Sequence, residues 1–233
     1  MVVIFSLLSP NVTAILYIQY TPGTGRMAQL QTINFDWWRD PKGYRIVREK
    51  PWGHRIVRKG HPREKLELCR PLDPTDSLFR VFANIGTSPK GLLDFVNRHG
   101  PLTLTGNDQG DPVGHVAWHA RVMQDLLKSV SADRQQTSLA EKFNGAPAVT
   151  FDAMVVWDPV AKAAKWELRP RSLLDGLWLQ FGQAVTRGAN IRTCAHCGAW
   201  FETGAGTGRR LDSKFCSDEH RIAFNSLKRS KEK

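Results

Sequence analysis

Apolar residues recur at two different spacings along the chain, which separates strand-like from helix-like segments. Two near copies, GYRIVRE and GHRIVRK, each follow a glycine with a mixture of apolar, β-branched and basic residues within residues 43–59. Two β-branched segments of this kind, separated by KPW, predict a β-hairpin. Side chains alternate across a strand, so one arginine of each strand should face the core or a partner; a solvated edge strand protected by charge is the alternative. The four arginines are Arg45, Arg48, Arg55 and Arg58.

Helical spacing appears in three later segments. The first helix has clear signals at both ends: Ser88 as N-cap, Pro89 at the first helical position and Gly100 just past the end. The second should run from residue 111 or 112 to about 130, and the third, RSLLDGLWLQFGQAVTRG, should end at Gly188. Their predicted buried faces are Leu92, Leu93, Phe95 and Val96; Val113, Val116, Ala117, Ala120, Met123 and Leu127; and Leu173, Leu174, Leu177, Trp178, Phe181 and Val185.

Strands and helices together predict an α+β fold. The segments AVTFDAMVVWDP and AKWELRP, joined by the turn DPVAK, predict a second hairpin between the second and third helices. We expect mixed hairpins and helices to form one main domain over residues 27–190. A small C-terminal module, built of a tight turn, a β-hairpin and a helix, should follow over residues 191–233.

The first 26 residues have two interpretations. MVVIFSLLSPNVTAILYIQY is apolar, yet it contains Pro10 and Asn11, and no lysine or arginine precedes Arg26. A secretory signal normally begins with positive charge, and a spanning helix tolerates Pro10 and Asn11 poorly. The segment is therefore either an overlong gene start, with Met27 as the natural first residue, or an atypical apolar leader. No membrane association is expected unless residues 1–20 are a real anchor.

The net charge of +11 is concentrated in two segments. Residues 38–70 hold eleven basic and four acidic side chains, and residues 187–233 hold ten and five. Two basic segments on either side of a neutral middle favour an anionic partner such as nucleic acid. The tryptophan-rich stretch FDWWRD, in which only one of Trp37 and Trp38 can point inward, favours a protein partner as the alternative.

Three of the four cysteines cluster near the C-terminus, which favours a metal site in a reducing, cytoplasmic compartment over a disulfide framework. CAHCG is a knuckle that aims two sulfurs at one point, and FCSDEH supplies two more donors if Ser217 caps a helix. His196 is a rival ligand and is interpreted as an exposed bystander, and Cys69 as a half-buried apolar residue. The predicted ligands of a closed, structural Zn²⁺ site are Cys194, Cys197, Cys216 and His220.

The intervening segment, GAWFETGAGTGRRLDSKF, should form a two-stranded hairpin with its tip at residues 204–208. A basic helix should follow from Ser217, with Ile222, Phe224 and Leu227 packed on that hairpin. Acidic residues at its start and lysines at its end suit the helix dipole.

Residues 192–229 resemble the small bacterial treble-clef-like fingers of form C-x-x-C-G-x-x-F … R-x-D-x-x-F-C-S-x-x-C-R, related to the finger of the CGNR class of transcriptional regulators. His220 replaces the usual fourth cysteine, and EHRIAFN replaces the CGNR tetrapeptide. GLLDFVNRHGPLT resembles the helical ligand-sensing domain that precedes the finger in that class. The matching residues are Cys194, Cys197, Gly198, Phe201, Arg210, Asp212, Phe215, Cys216, Ser217 and Arg221.

The resemblance implies a nucleic-acid-binding finger on a larger domain, with DNA favoured over RNA. The function expected is that of a zinc-binding, nucleic-acid-binding protein similar to a transcriptional regulator. A zinc-stapled protein-interaction module is the alternative. The residues expected to contact nucleic acid are Arg209, Arg210, Arg221, Lys228, Arg229 and Lys231.

No catalytic constellation stands out, so we do not expect an enzyme. His115 and His119 have a metal-binding spacing, but Val116 stands where a zinc protease carries its glutamate base. Both histidines are therefore interpreted as polar-edge residues. GAGTG and GTGRR lack the Lys-Ser/Thr ending of a phosphate loop.

Overall fold

The computed structural model describes residues 4–6, 15–17, 35–49, 53–72, 77–103, 110–132, 147, 149–160, 162–186, 189–204 and 207–231. The predictions for residues 1–26 therefore fall largely outside the described residues. Only the backbones of β1 (Ile4–Ser6) and β2 (Ile15–Tyr17) are described there, and they pair antiparallel. None of the helices in the described ranges has both the length and the apolar composition needed to cross a membrane.

The predicted α+β class is confirmed: helices combine with small antiparallel sheets. β3 (Trp37–Arg39) pairs with β6 (Glu67–Cys69), and β4 (Tyr44–Glu49), β5 (Gly53–Arg58) and β7 (Asp111–Pro112) form a three-stranded sheet. β8 (Phe151–Asp158) pairs with β9 (Ala163–Pro170), and β10 (Asn190–Thr193) with β11 (Trp200–Thr203). The described helices are α1 (Leu78–Asn84), α2 (Pro89–His99), α3 (Val113–Ala132), α4 (Leu173–Thr186) and α5 (Asp218–Lys231).

Helix α2 follows its sequence signals closely. The Ser88 hydroxyl accepts a hydrogen bond from the Gly91 amide, and Pro89 is the first helical residue. Gly100 ends the helix at φ +92°, where a Cβ would lie 2.9 Å from the indole of Trp37. Glycine at this position therefore allows the buried Trp37 to pack beside the helix end.

The core lies among α1 to α4 and the inner faces of β3 to β5. The apolar faces predicted for α2, α3 and α4 point into it, with Leu93, Ala117 and Val185 only partly buried. Helix α1 was not predicted, although its buried residues Leu78, Phe79, Phe82 and Ala83 have helical spacing. Ile191 of β10 and Trp200 of β11 also belong to this core, so the C-terminal hairpin packs directly on the main body.

The arginine-rich hairpin forms as predicted, with Val47 opposite Arg55. Arg55 and Arg58 are largely covered, since Arg55 lies 3.4 Å from Glu49 and Arg58 lies 3.2 Å from Asp40. Arg45 and Arg48 are both exposed. In β5 an arginine therefore faces inward as expected, whereas β4, at the edge of its sheet, matches the alternative of a solvated edge strand.

Asp40 anchors this hairpin to the turn before it. Its buried carboxylate accepts hydrogen bonds from the backbone amides of Lys42, at 2.9 Å, and Gly60, at 2.7 Å, and from Arg58 Nε. Burial by itself would raise the pKa of Asp40, but these hydrogen bonds and the charge of Arg58 outweigh it and lower the pKa.

We expect Asp40→Asn to reduce the free energy of unfolding by about 2 kcal/mol at pH 7, because charge-assisted hydrogen bonds are lost. A lowered folded-state pKa contributes stability that is present above the unfolded pKa of aspartate and is lost as the pH falls through the folded value. Urea unfolding from pH 7 to pH 3 should therefore show the gap between wild type and Asp40→Asn closing toward acid. A constant gap would contradict this assignment.

Candidate metal centre

The knuckle CAHCG is the turn of the β10–β11 hairpin. Thr193 pairs with Trp200 at the end of the ladder, and the Cys194 amide donates to the Ala199 carbonyl at 2.9 Å. Gly198 adopts φ +72°, and its amide donates to the Cys194 carbonyl at 2.9 Å. A left-handed glycine thus closes the tight turn that places both cysteines at the hairpin tip.

The predicted position of the hairpin is wrong in part. The strand partner of β11 precedes the knuckle instead of following it, and only an isolated bridge, Gly204 to Arg209, is described in the segment expected to hold the hairpin. The six-residue loop 194–199 reverses the chain, and its short length brings Asn190–Thr193 alongside Trp200–Thr203.

The second pair of donors sits at the start of α5. The Ser217 hydroxyl accepts a hydrogen bond from the His220 amide at 3.3 Å, which confirms Ser217 as a cap. Cys216 and His220 therefore lie one turn apart on the same side of the helix start. The Ala195 amide donates to the Lys214 carbonyl at 2.9 Å and ties this segment to the knuckle.

The four donor atoms converge on one point. The ligand atoms of Cys194, Cys197, Cys216 and His220 lie within 4.8 Å of one another and could hold a metal ion. The sulfurs of Cys197 and Cys216 are 3.8 Å apart, and His220 Nδ1 lies 2.9 Å from Cys216 Sγ and 3.9 Å from Cys194 Sγ. Nδ1 is therefore the ring nitrogen that faces the sulfurs.

Within the cluster, the pKa values of Cys194 and Cys216 are shifted in opposite directions. Burial alone would raise the pKa of Cys194, but hydrogen bonds from the backbone amides of Cys197, Cys216 and His196 lower it to about 6. The pKa of Cys216 is raised to about 12, by burial and by the neighbouring Cys194 and Cys197. A bound cation would supply the positive charge that allows neighbouring sulfurs to ionise together.

His196 lies beside the centre without joining the ligand set. It is half-buried, so its interpretation as an exposed bystander is only partly right, and its ring centroid is 5.0 Å from that of His220. Its backbone amide is one of those that hydrogen-bond Cys194 and lower its pKa, as expected of an amide in a knuckle.

Arg209, which is predicted to contact nucleic acid, lies against the donor cluster. Its Nε donates to the Cys216 carbonyl at 3.0 Å, and its guanidinium lies 6.0 Å from the centroid of the Phe201 ring. A half-buried arginine that is engaged in this way orients a ligand-bearing segment.

The other predicted contact residues lie in the segment that enters α5 or on the helix itself. Arg210, Arg221, Lys228 and Arg229 are exposed, and Arg221 pairs with Asp218 at 3.2 Å. Lys231 is the last residue of α5. Arg210, Arg221, Lys228 and Arg229 therefore form part of the protein surface near the donor cluster and along α5.

Packing of α5 differs from the prediction. Phe224 packs on Phe215, with ring centroids 5.3 Å apart, but Ile222 is 63% exposed and Leu227 is 56% exposed. Both residues were expected to pack on a hairpin within residues 198–215. β11, the first strand of that segment, pairs with β10 instead.

Polar contacts lock the hairpin to α1. The buried carboxylate of Glu202 accepts a hydrogen bond from Ser77 Oγ at 2.7 Å, and its Oε1 lies 3.8 Å from Arg80 Nε. Asn84 Oδ1 accepts from the Trp200 amide at 3.4 Å. The metal-ligand knuckle is therefore held by a hairpin that is fastened to the main body.

His119 is not the polar-edge residue that its pattern suggested. It is buried, and its Nδ1 accepts a hydrogen bond from Trp178 Nε1 at 3.0 Å. An indole nitrogen only donates, so the proton of neutral His119 sits on Nε2, which faces His115 Nε2 at 3.2 Å. Burial, with a contribution from His115, lowers the pKa of His119 to about 4. Both ring nitrogens of His119 are therefore used in hydrogen bonds, to Trp178 and to His115.

The remaining cysteine behaves as expected. Cys69 is half-buried in β6, its sulfur lies 3.8 Å from the His99 carbonyl oxygen, and burial raises its pKa. Among the residues that the structure describes, the C-terminal cluster is the one group of three or more metal-type donors. No protein-family model matches the chain, and no curated protein matches it, so the functional assignment depends on this cluster and its surroundings.

Proposed function

We propose that the protein is a zinc-dependent nucleic-acid-binding protein, in which a structural Zn²⁺ fixes the basic helix α5 against the main domain. The observation that carries the proposal is the position of the donor cluster. Two of its four ligands flank the first turn of α5, so the metal would set the direction in which that helix projects.

Zinc is the metal that best suits this donor set. Three thiols and one imidazole form a closed tetrahedral set, typical of structural zinc sites. With Zn–S bonds of about 2.3 Å, sulfurs are about 3.8 Å apart. The sulfurs of Cys197 and Cys216 show this separation, and the two distances from His220 Nδ1 to sulfur, 2.9 and 3.9 Å, bracket the value of about 3.6 Å expected for such a site.

The basic groups around α5 support an anionic partner. Asp218 and Glu219 are confined to its first turn, and the later residues Lys228, Arg229 and Lys231 carry only positive charge. Backbone phosphates of a nucleic acid carry the complementary charge at high density. The resemblance of residues 192–229 to the finger of CGNR-class regulators points in the same direction and suggests a role in transcription.

We expect the affinity for a mixed-sequence DNA duplex to fall steeply between 50 and 200 mM salt. If Arg210, Arg221, Lys228, Arg229 and Lys231 each neutralise one phosphate, log affinity against log salt has a slope of about −4.5. Fluorescence anisotropy of a labelled duplex measures that slope.

Charge reversal provides the matched control. Lys228→Glu with Arg229→Glu should weaken binding and reduce the slope by about 2, whereas Lys90→Glu, an exposed position at the start of α2, should leave it unchanged. Binding that is indifferent to salt, or equal effects of the two changes, would contradict the nucleic-acid proposal.

One observation favours protein interaction as a second candidate function. Trp38 and Leu68 are cross-strand partners on the outer face of the β3–β6 pair, and each is 49% exposed. Asp36 and Arg70 pair beside them at 2.8 Å. An exposed tryptophan next to an arginine has the composition of a protein-binding anchor.

A further inference from the structure

Helix α5 is anchored along one side only. His220 Nδ1 faces the ligand sulfurs, Phe224 packs on Phe215, and Ala223 is half-buried. At 100° per residue these positions share one side of the helix with Leu227. The metal and the phenylalanine pair therefore fix both the position of the helix start and its rotation about its own axis.

Beyond this anchor, the helix extends into solvent. Every residue from 225 to 230 is exposed, including Leu227, which lies on the anchored side. Six residues of α-helix span about 9 Å. The second half of α5 is therefore exposed all round.

The side opposite the anchor carries a distinctive set of residues. Ile222, Asn225, Ser226 and Arg229 fall within about 100° of one another on the helix surface, and all four are exposed. Asp218 lies on the same side one turn before Ile222, where it pairs with Arg221 at 3.2 Å, and Glu219 lies at one edge. Arg221 and Lys228 flank the stripe along the other edge. Ile222 is the one large apolar side chain among these four residues and is 63% exposed.

This stripe matches the chemistry of base edges in the major groove. Arginine donates two hydrogen bonds to guanine O6 and N7, asparagine pairs with adenine N6 and N7, and an apolar side chain contacts the thymine methyl group. A helix about 10–12 Å across fits a groove about 12 Å wide. The deep, narrow major groove of duplex RNA does not admit a helix, so the geometry selects DNA.

We propose that α5 is a recognition helix that enters the major groove of duplex DNA. Asn225 and Arg229 contact base edges, Ile222 covers a thymine methyl group, and Lys228 on the flank contacts a phosphate. This inference rests on the proposed nucleic-acid function and adds that the binding is sequence-selective and that the selectivity resides on one stripe of one helix.

The test distinguishes contacts with base edges, which change the preference for a sequence, from contacts with phosphates, which change the salt dependence. The zinc-loaded full chain is used to select sequences from a random duplex library, and affinities are then measured for the selected duplex and a scrambled duplex of equal length. Arg229→Lys and Asn225→Ala should each reduce the preference for the selected sequence by about 5- to 150-fold. Arg229→Lys keeps the charge, so its salt slope should stay unchanged. Lys228→Ala should weaken binding to both duplexes equally and reduce the salt slope by about 1.

The outcomes are distinguishable from failure of the proposed function. Salt-dependent duplex binding without an enriched sequence, full selectivity in Arg229→Lys and Asn225→Ala, or preference for single strands or RNA would each overturn the recognition helix and leave nucleic-acid binding intact. Absence of salt-dependent binding to any nucleic acid would overturn both. Zinc content and thermal midpoint, unchanged in all three exposed variants, control for folding.

Discussion

Removal of the metal should destabilise the main core as well as the C-terminal module. A zinc ion present at 1,000 times its dissociation constant stabilises the native state by about 4 kcal/mol, which in a chain of this size corresponds to about 8–16 °C in the thermal midpoint. Chelation, or Cys194→Ser, should remove that stabilisation. Cys194 is the most informative ligand because it is buried and the Cys216 amide faces its sulfur at 3.5 Å.

The effect should extend beyond the module because the hairpin that carries the knuckle is part of the core. Ile191 is 2% exposed and Trp200 is 8% exposed, both within the main apolar cluster. Without the cation, three crowded thiols must be protonated or move apart, and the hairpin tip loses the tie to α5 that the metal provides. Strand β11 then transmits the loss to α1 through Glu202.

Metal analysis of the purified protein should find one zinc per chain, and calorimetry with and without a chelator should show the shift. Cys69→Ala is the matched control, since it removes a half-buried thiol outside the cluster and should keep both the zinc and its stabilising effect. A thermal midpoint indifferent to chelation in a protein shown to contain zinc would refute the coupling.

The ligand cluster was predictable from sequence because its constraints are local. A knuckle fixes two cysteines, and a capped helix start fixes Cys216 and His220 one turn apart, so each pair depends only on its neighbours. The same holds for α2, whose cap, proline and terminal glycine specify both ends. Signals of this kind depend only on neighbouring residues, so they specify the same local structure whatever the tertiary arrangement.

Long-range choices were not predictable in the same way. The four residues of β10 carry no strong strand signal, and they pair with β11 because Ile191 buries against the core. The hydrogen bond from Arg209 to the Cys216 carbonyl has no signal in the sequence, because it depends on how the segment before α5 folds back. His119 is covered by Trp178, 59 positions later. In both cases the tertiary fold determines which groups the side chain contacts.

Trp200→Ala should reduce the free energy of unfolding by about 3–5 kcal/mol, because it removes a large buried side chain from the core. Trp38→Ala is the matched control: the residue is 49% exposed, and its loss should cost less than about 1 kcal/mol. Urea unfolding of the zinc-loaded proteins, followed by far-UV circular dichroism and by zinc release to a chromogenic chelator, measures both the stability and its cooperativity.

The same experiment tests the domain boundary predicted between residues 190 and 191. Trp200 belongs to the core cluster and lies three residues after Cys197 and two after Gly198, so the core and the knuckle are directly connected. Zinc release and loss of helix should therefore coincide in the wild type and shift together in Trp200→Ala. If zinc release alone moved, or if Trp200→Ala cost no more than Trp38→Ala, residues 191–233 would unfold as a separate domain. The metal would then stabilise only that module.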